Sequence, residues 1–167
     1  MNKSRVAMLI SLVAIIIVLV WWFSPSQIIK RQTQKIIQCL DIPETATKTY
    51  RALKTNSFSN LLARSVSCRV DIAEYQSEFS RDQLIESHQM YAYNVASAVA
   101  EASNIEVHII DDKNARTNAD IYFAITSKKI AAIKEKIEIN LDWEKTDTGK
   151  WRLTNVEIVD ISNQNQQ

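Results

Sequence analysis

The feature that most constrains this chain is an uncharged, apolar segment near its N-terminus. Residues 6–23 contain no charged side chain, and Ser11 is the only polar interruption before the tryptophan pair. As an α-helix this segment would extend about 27 Å, which is close to the hydrocarbon thickness of a bilayer. Trp21 and Trp22 end it where amphipathic rings prefer the headgroup level. The segment therefore predicts a transmembrane helix over residues 6–23.

The residues before this segment predict its orientation. Lys3 and Arg5 are basic, and basic residues favour the cytoplasmic side of a membrane. We expect residues 1–5 in the cytoplasm and the rest of the chain outside it, facing the periplasm if the source is a Gram-negative bacterium. The lipid bilayer is then one partner, through residues 6–23. A cleaved signal peptide is the alternative, although Trp21 and Trp22 stand where cleavage requires small residues.

The composition excludes several classes of function. Without Lys3 and Arg5, the 20 basic residues become 18 against 19 acidic ones, so the remainder carries a net charge of −1. Such a balance predicts no nucleic-acid binding, which requires a basic surface. Gly149 is the single glycine, which excludes the glycine-rich loops of nucleotide and dinucleotide folds. We therefore expect no cofactor of those classes.

Apolar residues at helical spacing predict the first part of the domain. Ile29, Ile36 and Leu40 share one face, so residues 24–42 are assigned to a juxtamembrane helix. Pro43 suits the first turn of a second helix. A further short helix is predicted after Ser57, from the residues Phe58, Leu61 and Leu62.

The clearest helix start lies at Ser80. Ser80 and Gln83 have the spacing of a capping box, so a helix is predicted to begin at Arg81. We expect it to run for about twenty residues to Asn104, on the basis of its apolar period. Its predicted buried stripe comprises Leu84, His88, Tyr91 or Ala92, Val95 and Val99.

Alternating apolar residues predict strands on both sides of this helix. One short strand covers residues 65–73, and four more follow Asn104. Asp147 to Lys150 supplies a hairpin turn, and the apolar phase slips near Asn155, which predicts a bulge or an inward polar group. The inward positions of the long strands include Ile121, Phe123, Ile125, Ile137, Ile139, Leu141 and Trp143. Residues 43–161 are thus predicted to form one α+β domain. Its curved antiparallel sheet has four main strands and one short strand, and helices pack on the sheet in a cone-like arrangement. Residues 162–167 are a polar tail.

Two stretches resemble a known superfamily. One runs from Arg51-Ala52-Leu53 through Phe58 and Leu61-Leu62 to Val70-Asp71, and the other is Gly149-Lys150-Trp151-Arg152-Leu153-Thr154-Asn155-Val156. Together with the element order, they resemble the nuclear transport factor two-like superfamily, also called the polyketide cyclase-like cone fold. The resemblance covers about residues 43–161. It implies a cone whose enzymatic members place acid and base side chains between the sheet and the long helix.

Few residues in this chain could supply such chemistry. The predicted inward strand positions carry no titratable group, and His108 belongs to the opposite alternation. His88 lies on the apolar stripe near Tyr91, so it is the candidate general base, with Tyr91 as a hydrogen-bond donor. The alternative is a core histidine that is bonded to the backbone. Neither histidine has metal-ligand spacing to a second one, so no metal site is predicted.

The two cysteines, Cys39 and Cys68, have two readings. In an oxidising compartment they could form a disulfide between the juxtamembrane helix and the first strand, whereas otherwise they are small buried residues. Ile130 and Ile133 lie among lysines between two strands, where they could form a rim that contacts a protein partner or a second copy. The alternative is a longer hairpin end that is tucked against the sheet.

These observations favour a noncatalytic, membrane-anchored binding or assembly domain outside the cytoplasm. One alternative is a small-ligand-binding or isomerase- or dehydratase-like enzyme that uses the cone cavity and His88. Another follows from the resemblance, because an anchor helix before this fold is similar to the inner-membrane assembly subunits of type IV secretion systems. The sequence favours a noncatalytic protein over an enzyme, and both alternatives stay open at this point.

Overall fold

The computed structural model describes residues 3–70, 75–127 and 132–159, with side chains from residue 11 onward. The elements in chain order are α1 (Lys3–Trp22), α2 (Pro25–Leu40), α3 (Lys48–Ser59), β1 (Leu62–Val70), β2 (Tyr75–Ser80), α4 (Arg81–Asn94), β3 (Val95–Ile109), β4 (Asn114–Ser127), β5 (Ile133–Lys145) and β6 (Trp151–Val159). The predicted tail at 162–167 lies outside the described residues.

The six strands form one mixed sheet in the order β2-β1-β6-β5-β4-β3. β1 pairs in parallel with β6, and every other described pairing is antiparallel. The α+β class is confirmed, but a purely antiparallel sheet of four main strands and one short strand is wrong. The sequence did not indicate β2, because only Tyr75 and Phe79 are apolar in this edge strand. None of its side chains is buried, so the strand does not need apolar residues at alternate positions.

The N-terminal helix meets the next helix at an elbow. Pro25 is the first residue of α2, and Arg31 of α2 donates a 2.8 Å hydrogen bond to the Trp22 carbonyl. The same guanidinium lies 4.7 Å from the centre of the Trp22 ring. Among the described helices, none meets the length and hydropathy of a membrane span alone, whereas Ser11–Trp22 and Pro25–Leu40 meet them jointly across a 52° bend.

Helix α2 belongs to the core of the domain. Its apolar stripe includes Ile29, Ile36 and Ile37, which are at most 7% exposed, and Thr33 is fully buried beside them. The helix lies over β3, whose inward Ala98, Ala100 and Ala102 have small side chains that allow close approach. The packed unit therefore begins at Pro25, eighteen residues before the expected boundary at residue 43.

The segment after α3 differs from the predicted short helix. α3 continues to Ser59, a turn follows at Asn60, and β1 begins at Leu62. The amide of Leu153 donates a 2.8 Å hydrogen bond to the Leu61 carbonyl, so this segment is fixed to β6. Leu61 and Leu62 are buried in the main core, but Leu61 lies in the turn and Leu62 is the first residue of β1. The prediction of a helix after Ser57 is wrong for this reason.

Helix α4 begins as predicted and ends early. Ser80 and Gln83 form the capping box, and both of its hydrogen bonds are present. The helix stops at Asn94, so the prediction of about twenty residues ending at Asn104 is wrong. Val95 to Asn104 lie in β3, and Asn104 has a positive φ of 52° at a register shift in that strand.

Arg51 of α3 supplies a physical reason for this early end. Its guanidinium donates to the carbonyl of Ala92, in the last turn of α4, and to those of Val95 and Ala96, just after the helix. Carbonyls at a helix end lack intrahelical partners, so a guanidinium from another helix stabilises a stop at this point.

The predicted inward strand positions do face the helices. Ile121, Ile139, Leu141 and Trp143 are at most 5% exposed, and Phe123, Ile125 and Ile137 pack at the margin of the core. The hairpin turn before β6 is confirmed: Gly149 has a φ of +78°, and its amide bonds to Thr146. The predicted bulge is also present, because the β5–β6 register shifts at Thr154, between Leu153 and Asn155.

Candidate functional site

His88, the candidate base, lies in the interior between α2, α3 and α4. It is 4% exposed, and both ring nitrogens have partners. Nδ1 is 3.0 Å from the Thr55 hydroxyl on α3, and Nε2 is 3.0 Å from the Cys39 carbonyl at the end of α2. Phe58 stacks on the imidazole, with ring centres 4.5 Å apart. His88 thus joins three helices at one point.

These contacts favour one neutral form of the imidazole. A carbonyl only accepts, so Nε2–H donates to Cys39, and Nδ1 is left to accept from the Thr55 hydroxyl, whose alternative acceptor is the Arg51 carbonyl at the longer distance of 3.3 Å. Burial lowers the pKa of His88, the hydrogen bond to Cys39 opposes this effect, and the nearby Lys54 charge lowers the pKa further. The ring is therefore held neutral at neutral pH, with its lone pair already occupied by a threonine.

Tyr91 lies beside His88 but is also engaged. Its hydroxyl donates a 2.6 Å hydrogen bond to the Leu40 carbonyl, and its ring centre lies 6.0 Å from that of His88. Burial, with a smaller contribution from the Asp41 charge, raises the pKa of Tyr91 to about 12. Tyr91 and His88 therefore bind the last turn of α2 through two consecutive carbonyls, those of Leu40 and Cys39.

His88 can accept a proton from a substrate only if one of its two hydrogen bonds, to Thr55 or to Cys39, is first broken. A groove of about 450 Å³ runs between α2 and α3, but its lining includes Cys39 and Lys54 and not His88. The described buried polar side chains are His88 and the three threonines Thr33, Thr55 and Thr117. The arrangement is thus suited to holding helices together, and it presents no open acid–base pair.

A polar chain inside the cone was missed by the sequence interpretation. The Trp143 indole donates a 3.1 Å hydrogen bond to the Thr117 hydroxyl, and the Thr33 hydroxyl lies 3.4 Å from the same oxygen. This chain connects β5, β4 and α2 through fully buried side chains. Threonine at an inward strand position is the one sequence signal that could have indicated it, since a buried hydroxyl needs a partner.

The side chains of the other predicted site residues do not bond to His88, although the Cys39 carbonyl does. Cys39 and Cys68 are free thiols, buried on α2 and half-buried on β1, and burial raises the pKa of both. The structure therefore does not join them as a disulfide. His108 is exposed, 3.9 Å from Glu106. Ile133 is 41% exposed at the start of β5, whereas Ile130 lies outside the described residues.

The outer face of the sheet, which points away from the helices, carries ordered rows of polar side chains. In the first row, Asp142 of β5 accepts two hydrogen bonds from Arg116 of β4 and one from Asn155 of β6. In the second row, Asn140 connects Asn118 to Glu157. Each row fixes side chains of adjacent strands relative to one another.

A third row occupies the β3 side of this outer face. Asp120 accepts a 2.8 Å hydrogen bond from Asn104 and lies 3.2 Å from the Lys136 ammonium group. These contacts, the Asn104 hydrogen bond first, lower the pKa of Asp120. Tyr122 and Val99, the apolar side chains beside this row, are 41% and 42% exposed. The outer face thus combines preordered polar groups with exposed apolar area.

The described residues contain no group of three or more histidine, cysteine, aspartate or glutamate side chains that could hold a metal ion. Comparison with family models and with curated proteins found no match for this chain. Solved structures do match it. An NTF2-like superfamily protein from Salmonella enterica serovar Typhimurium aligns with a TM-score of 0.63 at 11% identity, over 83% of this chain and 94% of that one.

Two further structures show the range of proteins with this architecture. The association domain of C. elegans CaMKII aligns with a TM-score of 0.56 at 18% identity, over 79% of this chain and 92% of that one. The hexachlorocyclohexane dehydrochlorinase LinA-type3 from Novosphingobium barchaimii aligns with a TM-score of 0.61 at 7% identity, over 79% and 83%. At these sequence identities the alignments show a shared fold but not a shared function. The domain therefore has the nuclear transport factor 2-like fold that its sequence resembles.

Proposed function

We propose that this chain is a membrane-tethered, noncatalytic assembly domain that lies outside the cytoplasm and associates with a second copy of itself. The tether is the apolar segment at residues 6–23, with Lys3 and Arg5 on its cytoplasmic side. The domain that follows supplies the contact surface.

The observation that carries the noncatalytic part is the state of the cone interior. Trp143, Leu141, Ile29 and Thr117 fill the space between sheet and helices with at most 1% exposure. His88 has both nitrogens bonded to the protein, and its pKa is lowered, so it is a neutral structural group. Acid–base catalysis needs a titratable side chain within hydrogen-bond reach of a substrate, whereas the polar atoms of the candidate pair, His88 and Tyr91, are already bonded to the protein.

The observation that carries the assembly part is the outer face. Its polar rows are preordered by hydrogen bonds, so little side-chain entropy would be lost when a partner covers them. Tyr122 lies on β4, the strand next to the β3 edge of this face, and tyrosine is enriched at protein interfaces. A neighbour in fold is an association domain, which adds weight to this choice. Ile133, at the rim, remains a second candidate contact.

The tether is tested by reporter fusions to Gln167 in cells. A periplasm-active reporter should be active and a cytoplasm-active one silent, and the mature protein should retain its N-terminal residues. Activity of the cytoplasmic reporter alone, or a mature N-terminus near Ser24, would refute the tether.

The assembly surface is tested by placing a photo-crosslinking amino acid at Tyr122 in full-length protein in its own membranes. We expect an adduct of twice the chain mass. The matched control places the same group at Glu86, an exposed residue of α4 on the helical side. Equal yields at both positions, or no adduct at Tyr122, would contradict the proposed surface.

The second candidate is a small-ligand enzyme centred on His88 and Tyr91, favoured by a neighbour in fold that is a dehydrochlorinase. It requires a conformation in which Thr55 or the Cys39 carbonyl releases the imidazole. A ligand that contacts the His88 ring in a solved complex, with turnover lost in His88→Gln, would establish this function in place of ours.

A further inference from the structure

Three arginines line one cavity at an end of the sheet. Arg64 of β1, Arg81 at the start of α4 and Arg152 of β6 surround a volume of about 280 Å³, together with Glu144, Thr146 and Thr154. Strand pairing brings them together, because Leu62 is opposite Leu153 and Ser65 is opposite Ser80. The cavity is therefore built by three separate elements and does not depend on a single loop.

Within the described part of the chain, these guanidinium groups have few hydrogen-bond or ion-pair partners. Arg152 donates one 3.3 Å hydrogen bond, to its neighbouring Trp151 carbonyl. The ion pairs found within residues 11–70, 75–127 and 132–159 involve none of the three arginines. The Nε of Arg81 is shielded from solvent and has no hydrogen-bond partner among the residues of these three ranges. A buried donor left unpaired is costly, so this site favours an added acceptor.

The charge of the cavity defines the class of ligand. Three guanidinium groups face one carboxylate, that of Glu144, so the lining carries an excess of positive charge. Guanidinium groups bind phosphate oxygens through parallel N–H donors, and the positive end of the α4 dipole also favours an anion near Arg81. A phosphate group meets these requirements better than a neutral ligand.

The position of the cavity indicates the source of the phosphate. Ile42, just after α2, pairs with Ala98 at one end of the sheet, whereas Thr33 in the middle of α2 contacts Thr117 nearer the other end. The N-terminal end of α2 therefore points towards the β3–β4 and β5–β6 hairpins. From Thr33 to Pro25 the helix advances about 12 Å farther in that direction. The elbow to α1 and the arginine cavity thus lie at the same end, which we name the hairpin end.

The hairpin end also carries exposed or half-exposed basic residues near the elbow and on the hairpins, namely Lys30, Arg31, Lys113, Lys145 and Lys150. Their acidic neighbours on the hairpins are Asp111, Asp112 and Asp147. Basic groups beside a membrane anchor attract anionic headgroups. If α1 spans the bilayer, as the proposed function requires, this end faces the lipid surface.

We propose that the Arg64–Arg81–Arg152 cavity binds the phosphate of an anionic phospholipid headgroup and so fixes the domain against the bilayer. The proposal rests on the membrane tether for the source of the phosphate. The phosphate site itself rests on the cavity alone.

The lipid arm of the test uses full-length protein in neutral detergent micelles, with phosphatidylglycerol added and retained lipid counted by native mass spectrometry. We expect one retained lipid per chain, with binding at least about tenfold weaker in Arg81→Gln and in Arg152→Gln, because each change removes charge-assisted hydrogen bonds. Glu144→Gln should bind more tightly, because it removes the carboxylate from the lining. Lys134→Gln, an equal loss of charge on β5 outside the cavity, is the control.

The soluble arm titrates glycerol 3-phosphate into the same micelles, followed by calorimetry. Arginine-dependent binding in both arms supports the proposal, and arginine-dependent binding of glycerol 3-phosphate alone overturns the lipid source. Wild-type behaviour of Arg81→Gln and Arg152→Gln in both arms overturns the site. Far-UV circular dichroism checks each fold, and Arg64→Gln, at an exposed strand position, replaces any variant that unfolds. Both arms are independent of topology, so a failed reporter fusion would remove the proposed function without removing the site.

Discussion

Deleting α2 should unfold the domain, although the sequence assigns it to a region before the domain. The perturbation compares two soluble chains, residues 24–167 and residues 43–167. The shorter chain loses Ile29, Ile36 and Ile37, which are 0%, 7% and 2% exposed. Full burial of each isoleucine stabilises by about 1.5 to 3 kcal/mol, or about 5 to 9 kcal/mol for the three. A domain of this size is stable by about 5 to 15 kcal/mol in total, so the deletion removes most of it.

Far-UV circular dichroism with thermal unfolding provides the assay. Residues 24–167 should show mixed helix and strand with a cooperative transition, whereas residues 43–167 should show no cooperative transition. A graded check in the full chain pairs Ile36→Ala, expected to cost about 2 to 5 kcal/mol, with Gln34→Ala on the exposed face of α2, expected to cost under about 0.5 kcal/mol. A cooperative transition of residues 43–167 at the temperature of the longer chain would refute the assignment of α2 to the core.

Three further perturbations test the interior by chemical denaturation. Trp143→Ala should cost about 3 to 5 kcal/mol, because it empties a site that is 1% exposed, while Glu138→Ala on the other face of β5 should cost under about 0.5 kcal/mol. Because the pKa of His88 is lowered in the folded state, the unfolded chain protonates His88 at a higher pH than the folded chain does. The free energy of unfolding should therefore decrease below about pH 6.5, and this decrease should be smaller in His88→Gln. Arg51→Lys should cost at least about 1.5 kcal/mol, because lysine cannot reach the carbonyls of Ala92, Val95 and Ala96 together. The first prediction is refuted if Trp143→Ala leaves the unfolding midpoint unchanged. The second is refuted if wild type and His88→Gln share one pH profile of stability, and the third if Arg51→Lys does not change stability.

The sequence predicts the parts of this fold whose signals are local. The Ser80–Gln83 capping box, the Gly149 turn and the alternation from Ile137 to Trp143 each depend on residues a few positions apart. The structure confirms all of them. The end of α4 is different, because Val95 and Val99 fit a helical spacing of four and a strand spacing of two equally well. A distant guanidinium, that of Arg51, supports the observed stop, and sequence spacing carries no sign of it.

The candidate site follows the same division. Sequence reasoning found His88 on the apolar stripe and weighed a bonded core residue against a base, but it could not identify Thr55 and the Cys39 carbonyl as partners. Both contacts join residues more than thirty positions apart. The arginine cavity was missed for the same reason, since Arg64, Arg81 and Arg152 are brought together only by the pairing of β1 with β2 and with β6.

The central claim is that this domain acts through its outer sheet face and not through chemistry inside the cone. Sedimentation of the full-length protein in density-matched detergent measures this most directly, with wild type, Tyr122→Asp and His88→Gln compared at one concentration series. The account predicts a dimer for wild type and for His88→Gln, and a monomer for Tyr122→Asp, because a buried carboxylate at an interface is costly. A monomeric wild type at every concentration, or a dimer that survives Tyr122→Asp and is lost in His88→Gln, would contradict it.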